Sequence, residues 1–246
     1  MQVIIKETTR EAAHFVAQLM ADALRKKPAM VFGLATGRTV EPVYERLIAL
    51  HKKGKLDFSK CSSFNLDEYV GVEPNDPISY RATMQRLLFD HINVRPKATH
   101  VPDGMAKNLK KAGHDYEKAI KKAGGVDFQL LGIGMDGHIG FNEPLSSFAS
   151  LTREEVLTPS TVESNAGLCD GNVPTRAMTM GVGTILASKR AVMLVLGQKK
   201  ADLVAQFIEG PITPMLSACA LHFHRDCIIV LVFDLHVYTD ISTGRS

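Results

Sequence analysis

No run of apolar residues in this 246-residue chain reaches the roughly 18 that a membrane span needs, so no membrane partner is expected. The N-terminus, MQVIIKETTREAAHF, turns charged after three apolar residues, and no signal peptide is expected there. Repeats, low-complexity tracts and linkers are missing, which leaves one domain over residues 1–246. The cysteines are only four (Cys61, Cys169, Cys219, Cys227), without a CxxC pair; this usage fits a reducing compartment, and the cytoplasm is the expected location. A net charge of +3 is too small to draw a nucleic acid without a basic cluster. The nearest candidate, Lys110–Lys122, is interrupted by Asp115 and Glu117 and reads as a solvated helix face. There is no GxxxxGK[ST] loop, no GxGxxG fingerprint and no glycine-flanked serine elbow, so a bound nucleotide and serine-hydrolase chemistry are disfavoured.

What remains is an ordinary globular balance, 45% hydrophobic and 22% charged, in a chain long enough for a sizeable core. Thr8 followed by Glu11 has the spacing of a capping box, and Ala12, Val16, Leu19, Ala23 and Leu24 continue at the helical period. AMVFGLAT is an apolar strand without alternation, as in a sheet covered on both faces. CSSFNLDEY, VDFQLLGIG, KRAVMLVLG, SACALHFH and DCIIVLVFD also read as strands. Helical patterns lie between most of them, including one capped by Ser79. Strands alternating with helices imply a doubly wound, mostly parallel α/β sheet with helices on both faces.

In such sheets, functional groups collect beyond the carboxyl ends of the strands. Four segments fall there. Gly37-Arg38-Thr39 offers backbone N–H groups, a guanidinium and a hydroxyl at a strand-to-helix turn, suited to an anion, although many such turns only reverse the chain. Asp67 and Glu68 follow an apolar strand; two acids at a solvated strand end are common, but one facing a desolvated cleft would be a stronger proton acceptor. LLGIGMDGHIGFNEP threads Asp136, His138 and Glu143 between Gly134, Gly137 and Gly140, so carboxylates can approach the imidazole, orient it and favour its charged form. A neutral histidine so held could take a proton from a substrate hydroxyl and return it. Lys199 and Lys200 open a helix after a strand; one of them could reach an anion. Cys219, His222, His224 and Cys227 are zinc-capable residue types, but strand alternation sets Cys219 opposite the histidines, so packing is the expected role and no metal is expected.

Taken together, GLATGRT, NLDEYVG, DPISY, LGIGMDGHIGFNEP, MTMGVGTIL and LGQKKA resemble, in this order, the glucosamine-6-phosphate deaminase (isomerase) family, from about Ala29 to Asp234. The resemblance implies a Rossmann-like sheet and conversion of glucosamine 6-phosphate and water to fructose 6-phosphate and ammonia, with no cofactor. It implies that His138, oriented by Asp136 and Glu143, opens the sugar ring and that Asp67 moves the C2 proton to C1. Phosphate would sit on Gly37, Arg38, Thr39 and Lys200.

Two positions depart from the family pattern. The phosphate loop usually reads Gly-Gly-Thr, whereas Arg38 stands in the middle here; the arginine usual downstream is replaced by Gly167. Arg38 is therefore expected to supply the guanidinium that Gly167 lacks. A shifted clamp leaves the galactosamine epimer open as substrate, and a hydrolase of a sugar-phosphate lactone is the runner-up. A sugar-phosphate sensor is the non-enzymatic alternative, and no helix-turn-helix supports it. Some family members are effector-activated hexamers, and a homo-oligomer is compatible with the chain. Ser146 and Arg153 match the effector site, but Glu155 replaces a lysine, and the chain ends soon after its last expected strand; no allosteric activation is expected. The polar stretch from Leu151 to Pro174 is the expected place for a lid.

Overall fold

The strands, in chain order, are β1 (Gln2–Lys6), β2 (Val31–Leu34), β3 (Ser62–Asn65), β4 (Asp67–Tyr69), β5 (Thr99–His100), β6 (Phe128–Leu131), β7 (Arg153–Val156), β8 (Arg176–Thr179), β9 (Ala191–Leu196) and β10 (Cys227–Val232). Between them run α1 (Thr9–Lys26), α2 (Glu41–Lys52), α3 (Tyr80–Leu87), α4 (Leu109–Lys122), α5 (Pro159–Asn165), α6 (Val182–Leu186) and α7 (Ala201–Glu209). These come from a computed structural model that describes residues 1–166 and 173–232. Gly167, Cys169 and the last two residues of DCIIVLVFD lie outside the described residues.

Seven strands pair in the order β1–β10–β9–β6–β2–β3–β5, every pair parallel. Their sequences explain the place they take. VFGL of β2 and FQLL of β6 are buried at every position, as strands covered on both faces must be. The helix α1 starts where the sequence signals it: the Thr8 side chain accepts the Glu11 N–H at 3.1 Å. It buries Val16, Met20 and Leu24 and packs on β9, β10 and α2.

The strand order creates the site. From β2 the chain proceeds to β3 and β5 on one side, then returns to β6 on the other side of β2 before continuing to β9 and β10. The reversal therefore lies between β2 and β6, where an open α/β sheet leaves a crevice at its carboxyl edge. The loops after β3, β2, β6 and β9 leave from four adjacent strands. These loops hold the four segments singled out in the sequence.

A second, antiparallel sheet, β4–β8–β7, was not legible as such. CSSFNLDEY reads as one strand, yet it breaks at Leu66. The Leu66 N–H still donates to Leu34 of the parallel sheet at 3.0 Å, while its carbonyl accepts from Met180 N at 2.6 Å beyond β8. Asp67 is thus the first residue of the small sheet. SACALHFH also differs from expectation: Ser217–Phe223 is a 3-10 turn. Its Ala218 N–H donates to Gly137 O and its Ser217 hydroxyl to Asn142 O, so it braces the loop after β6 instead of extending a sheet.

The small sheet is fastened to α4. Glu117 accepts the Thr152 N–H at 2.8 Å and the hydroxyls of Thr152 and Thr184 at 2.5 and 2.6 Å. Here α4 comes so close that a Cβ on Gly113 would lie 2.4 Å from the Thr152 carbonyl oxygen. Replacing a helix-interior glycine by alanine ordinarily gains about 1 kcal/mol. At this contact with backbone the sign reverses, and Gly113→Ala is expected to lose about 1–3 kcal/mol, read from the urea midpoint at unchanged slope.

Candidate active site

Gly37, Arg38, Thr39, Asp67, His138 and Lys200 line one cavity of about 540 Å³ at the carboxyl edge of the sheet. The turn carrying Arg38 leads from β2 to α2, and Arg38 is exposed, with its guanidinium directed to no acid among the described residues. The Lys200 ammonium is half-buried and donates to the Ile133 carbonyl at 2.6 Å; burial lowers its pKa. Lys199 is exposed.

His138 owes its position to the loop after β6. A Cβ on Gly134 would meet the imidazole Cε1 and Nε2 at 2.4 Å, so the ring lies directly against the glycine Cα. Asp136 and Glu143 stand behind the ring. Nδ1 is 2.6 Å from Asp136 Oδ1 and 3.7 Å from Glu143 Oε2. At this distance Asp136 acts on the ring through both hydrogen bonding and charge. Burial works against a charged imidazole, but the two carboxylates outweigh it and push His138 up to about 9. The same contacts hold Asp136 below the usual carboxylate range against its own burial. At neutral pH these contacts favour the imidazolium, as approaching carboxylates were expected to, and a neutral imidazole able to take a proton from a substrate hydroxyl is reached only after the ring gives one up. Nε2 is the nitrogen left for chemistry.

Glu143 is 4% exposed and accepts from the Thr158 N–H and hydroxyl, both at 3.2 Å. Thr158 also caps α5, whose Ser164 and Asn165 line the cavity. Of the stretch expected to form a lid, the described residues include β7 and α5, and residues 167–172 lie outside the described residues.

Asp67 is the opposite case. It is 6% exposed, and no hydrogen bond reaches its carboxylate among the described residues. Burial, with a smaller push from Glu68 and a counter-pull from His138, raises it to about 7. A carboxylate so placed accepts protons near neutrality. The neighbouring Glu68 points away, as strand alternation requires.

Sequence reasoning missed the wall supplied by α3. Tyr80, Thr83 and Arg86 form one i, i+3 row along the cavity. The Ser79 cap was the available signal, since it fixes which face follows. Asn142 is structural: it donates to Ile139 O and Met180 O at 2.8 Å and accepts from Arg153 at 2.9 Å. Arg153 also donates to Ser146 at 3.0 Å and pairs with Glu155, so its charge is already met.

Asp136, His138 and Glu143 are the one group of three metal-capable side chains found among the described residues, with ligand atoms within 4.8 Å. A divalent ion would need the imidazole deprotonated, whereas the two carboxylates favour the imidazolium. The cysteine–histidine set is packing: His222 bonds Phe207 O at 2.8 Å, and His224 lies between Ser188 Oγ and Asp226 N, each at 3.1 Å. Cys219 and Cys227 are buried thiols.

The family model described as glucosamine-6-phosphate isomerases/6-phosphogluconolactonase matches residues 5–227. A glucosamine-6-phosphate deaminase of Hahella chejuensis is 43% identical over 95% of this chain and 90% of its own length. A solved structure described as a monomeric glucosamine-6-phosphate deaminase superposes with a TM-score of 0.93 at 40% identity, covering 95% of this chain and 98% of its own. A 6-phosphogluconolactonase of Thermotoga maritima shares the fold, with a TM-score of 0.74 at 21% identity over 94% of this chain and 98% of its own.

The raised Asp67 has a consequence for stability. Its folded pKa of about 7 lies above the unfolded carboxylate value, so the fold loses stability as pH rises through that window. Asp67→Asn cannot ionise. Calorimetry is expected to give this variant a Tm several degrees above wild type at pH 8, with the difference shrinking towards pH 4. A difference independent of pH would mean that Asp67 is not desolvated.

Proposed function

The chain belongs to the family of glucosamine-6-phosphate isomerases and 6-phosphogluconolactonases, and we propose that it converts glucosamine 6-phosphate and water to fructose 6-phosphate and ammonia. The observation that carries this reading is the pair of unlike proton carriers on one cavity: a buried carboxylate without a donor among the described residues, and an imidazolium held by two carboxylates. A lactone hydrolase would need the second but has little use for the first. The deaminases of Hahella chejuensis and Shewanella woodyi support the same choice, at 43% and 44% identity.

The reaction follows from the charge states. His138 donates its Nε2 proton to the ring oxygen as the C1–O5 bond breaks, and the neutral imidazole then takes the O1 proton, so it ends as it began. Asp136 and Glu143 keep the ring charged and oriented between turnovers. As Asp67 removes the C2 proton of the open aldehyde, the imidazolium gives a proton to O1, forming an enolamine; Asp67 then delivers its proton to C1 while the amino nitrogen returns one to the imidazole. The product of that step is a C2 imine, which water hydrolyses to the ketone and ammonia. Exclusion of water around Asp67 raises its basicity for the carbon-bound proton.

Arg38, with Thr39, the Gly37 backbone and Lys200, binds the phosphate. Arg38 takes the place of the guanidinium that family members carry at position 167, and its freedom from acid partners among the described residues supports this. One domain carries the activity, and the cytoplasm is the location we assign, in keeping with three buried free thiols. Sedimentation of the full chain distinguishes a homo-oligomer from a monomer such as the structural neighbour.

Ammonia release is measured from glucosamine 6-phosphate and galactosamine 6-phosphate side by side. The gluco epimer is expected to react and Asp67→Asn to lose about 100-fold or more in kcat. Reaction of only the galacto epimer would move the substrate assignment; hydrolysis of 6-phosphogluconolactone surviving in Asp67→Asn would replace the reaction. Arg38→Ala is expected to raise KM by about tenfold or more with a smaller change in kcat, as loss of a charge-assisted phosphate contact does. An unchanged KM would sink the exchange of clamps. For wild type, kcat/KM should fall below about pH 7 as Asp67 takes a proton, and above about pH 9 as His138 loses one.

A further inference from the structure

One acid beside the cavity has no task in the reaction just derived. Glu68 is 4% exposed, and the cavity wall includes its neighbours Asp67 and Tyr69 but not Glu68 itself. On its own side of β4, its carboxylate accepts the Ser79 hydroxyl at 2.8 Å and the N–H groups of Tyr80 and Arg81 at 2.9 Å each. It also accepts its own neighbour's N–H, from Tyr69, at 2.9 Å. Two of these donors belong to the first turn of α3, where a helix has N–H groups without partners. Four donors on two oxygens leave no room for a proton, so the group is a carboxylate.

The helix it holds is the one whose Tyr80, Thr83 and Arg86 face the cavity. One side chain therefore ties the strand bearing the proposed base to the wall that would receive the sugar. Building on the deaminase reading, we propose that Glu68 is a positioning residue for the proton-transfer step: it fastens the Asp67 strand to the first turn of α3 and keeps a fixed negative charge behind the base.

The surroundings of Asp67 make that charge count. Next to it on β4 lies Glu68, its carboxylate on the other side of the strand, while His138 approaches from the loop after β6, Tyr44 from α2, Tyr80 from α3 and Tyr116 from α4. Burial raises all three tyrosines above their ordinary value, with the Asp67 charge adding to the effect, so they stay neutral. His138 stabilises the ionised base. Glu68 is then the one anion among these groups, and it opposes His138. A base balanced in this way keeps enough proton affinity to attack a C–H bond while remaining ionised in part at neutral pH.

The test is the pH dependence of kcat/KM for ammonia release by the full chain, in wild type, Glu68→Gln and Glu68→Asp. Ionisation of the substrate is common to all three and cancels in the comparison. Removing the charge in Glu68→Gln should move the acid limb down by about one pH unit. Glu68→Asp keeps the charge with a shorter reach, so its limb should stay within about 0.3 of wild type while kcat falls. Limbs that coincide in all three, whatever happens to kcat, would make Glu68 a helix cap only and overturn the proposal. If circular dichroism shows that Glu68→Gln does not fold, Ser79→Ala takes its place. It strips one donor and leaves the Glu68 charge less compensated, so the limb should rise by a few tenths; an unmoved limb overturns the proposal. A wild type that releases no ammonia from either amino sugar phosphate overturns the functional reading, and this proposal with it.

Discussion

A carboxylate taken out of water without a hydrogen-bond donor is the constraint around which this molecule is arranged. Leaving Asp67 without a donor among the described residues costs stability, whereas several polar groups beside it are well held. Glu68 has four donors, Asn142 uses both of its side-chain polar atoms, and Glu143 is held by Thr158. The contrast between Asp67 and Glu68 comes from one step along a pleated strand. Burial of two adjacent acids thus gives one reactive group and one fixed group.

His138 solves the reverse problem. An imidazole behind an apolar loop would ordinarily lose its proton to burial. Asp136 and Glu143 reverse that, and their own side chains stay off the cavity wall, so the ring alone meets the ligand. Asp67 is thus raised to neutrality and His138 beyond it, and both proton carriers are in working form over the interval between about 7 and about 9.

Much of this was readable in the residues, for identifiable reasons. Apolar strands at the centre of a parallel sheet are buried on both faces, so FGL and QLL announce themselves without alternation, and the alternation of elements fixes a doubly wound sheet. The loop glycines and their acids stood out because few chains place such groups together. The small antiparallel sheet did not stand out. Its strands are three or four residues long, and REEV alternates no apolar face. SACALHF carries buried residues at five consecutive positions, which a 3-10 turn wedged between loops and a core strand show equally in sequence. Spacing alone did not separate Asp67 from Glu68, which depends on the break at Leu66; the family resemblance singled out Asp67.

Leu66 belongs to both sheets at once, through its N–H to Leu34 and its carbonyl to Met180. This gives the stretch an arithmetic parity. A strand shows alternate faces, so adding or removing a single residue between Asn65 and Asp67 would exchange the two acids, sending Glu68 to the cavity and Asp67 to the helix. The side chain at position 66 is open to substitution by anything that fits the core, whereas the count is not open to change. Descendants of this chain can therefore drift in composition here, but insertions or deletions at this point would have to come in pairs.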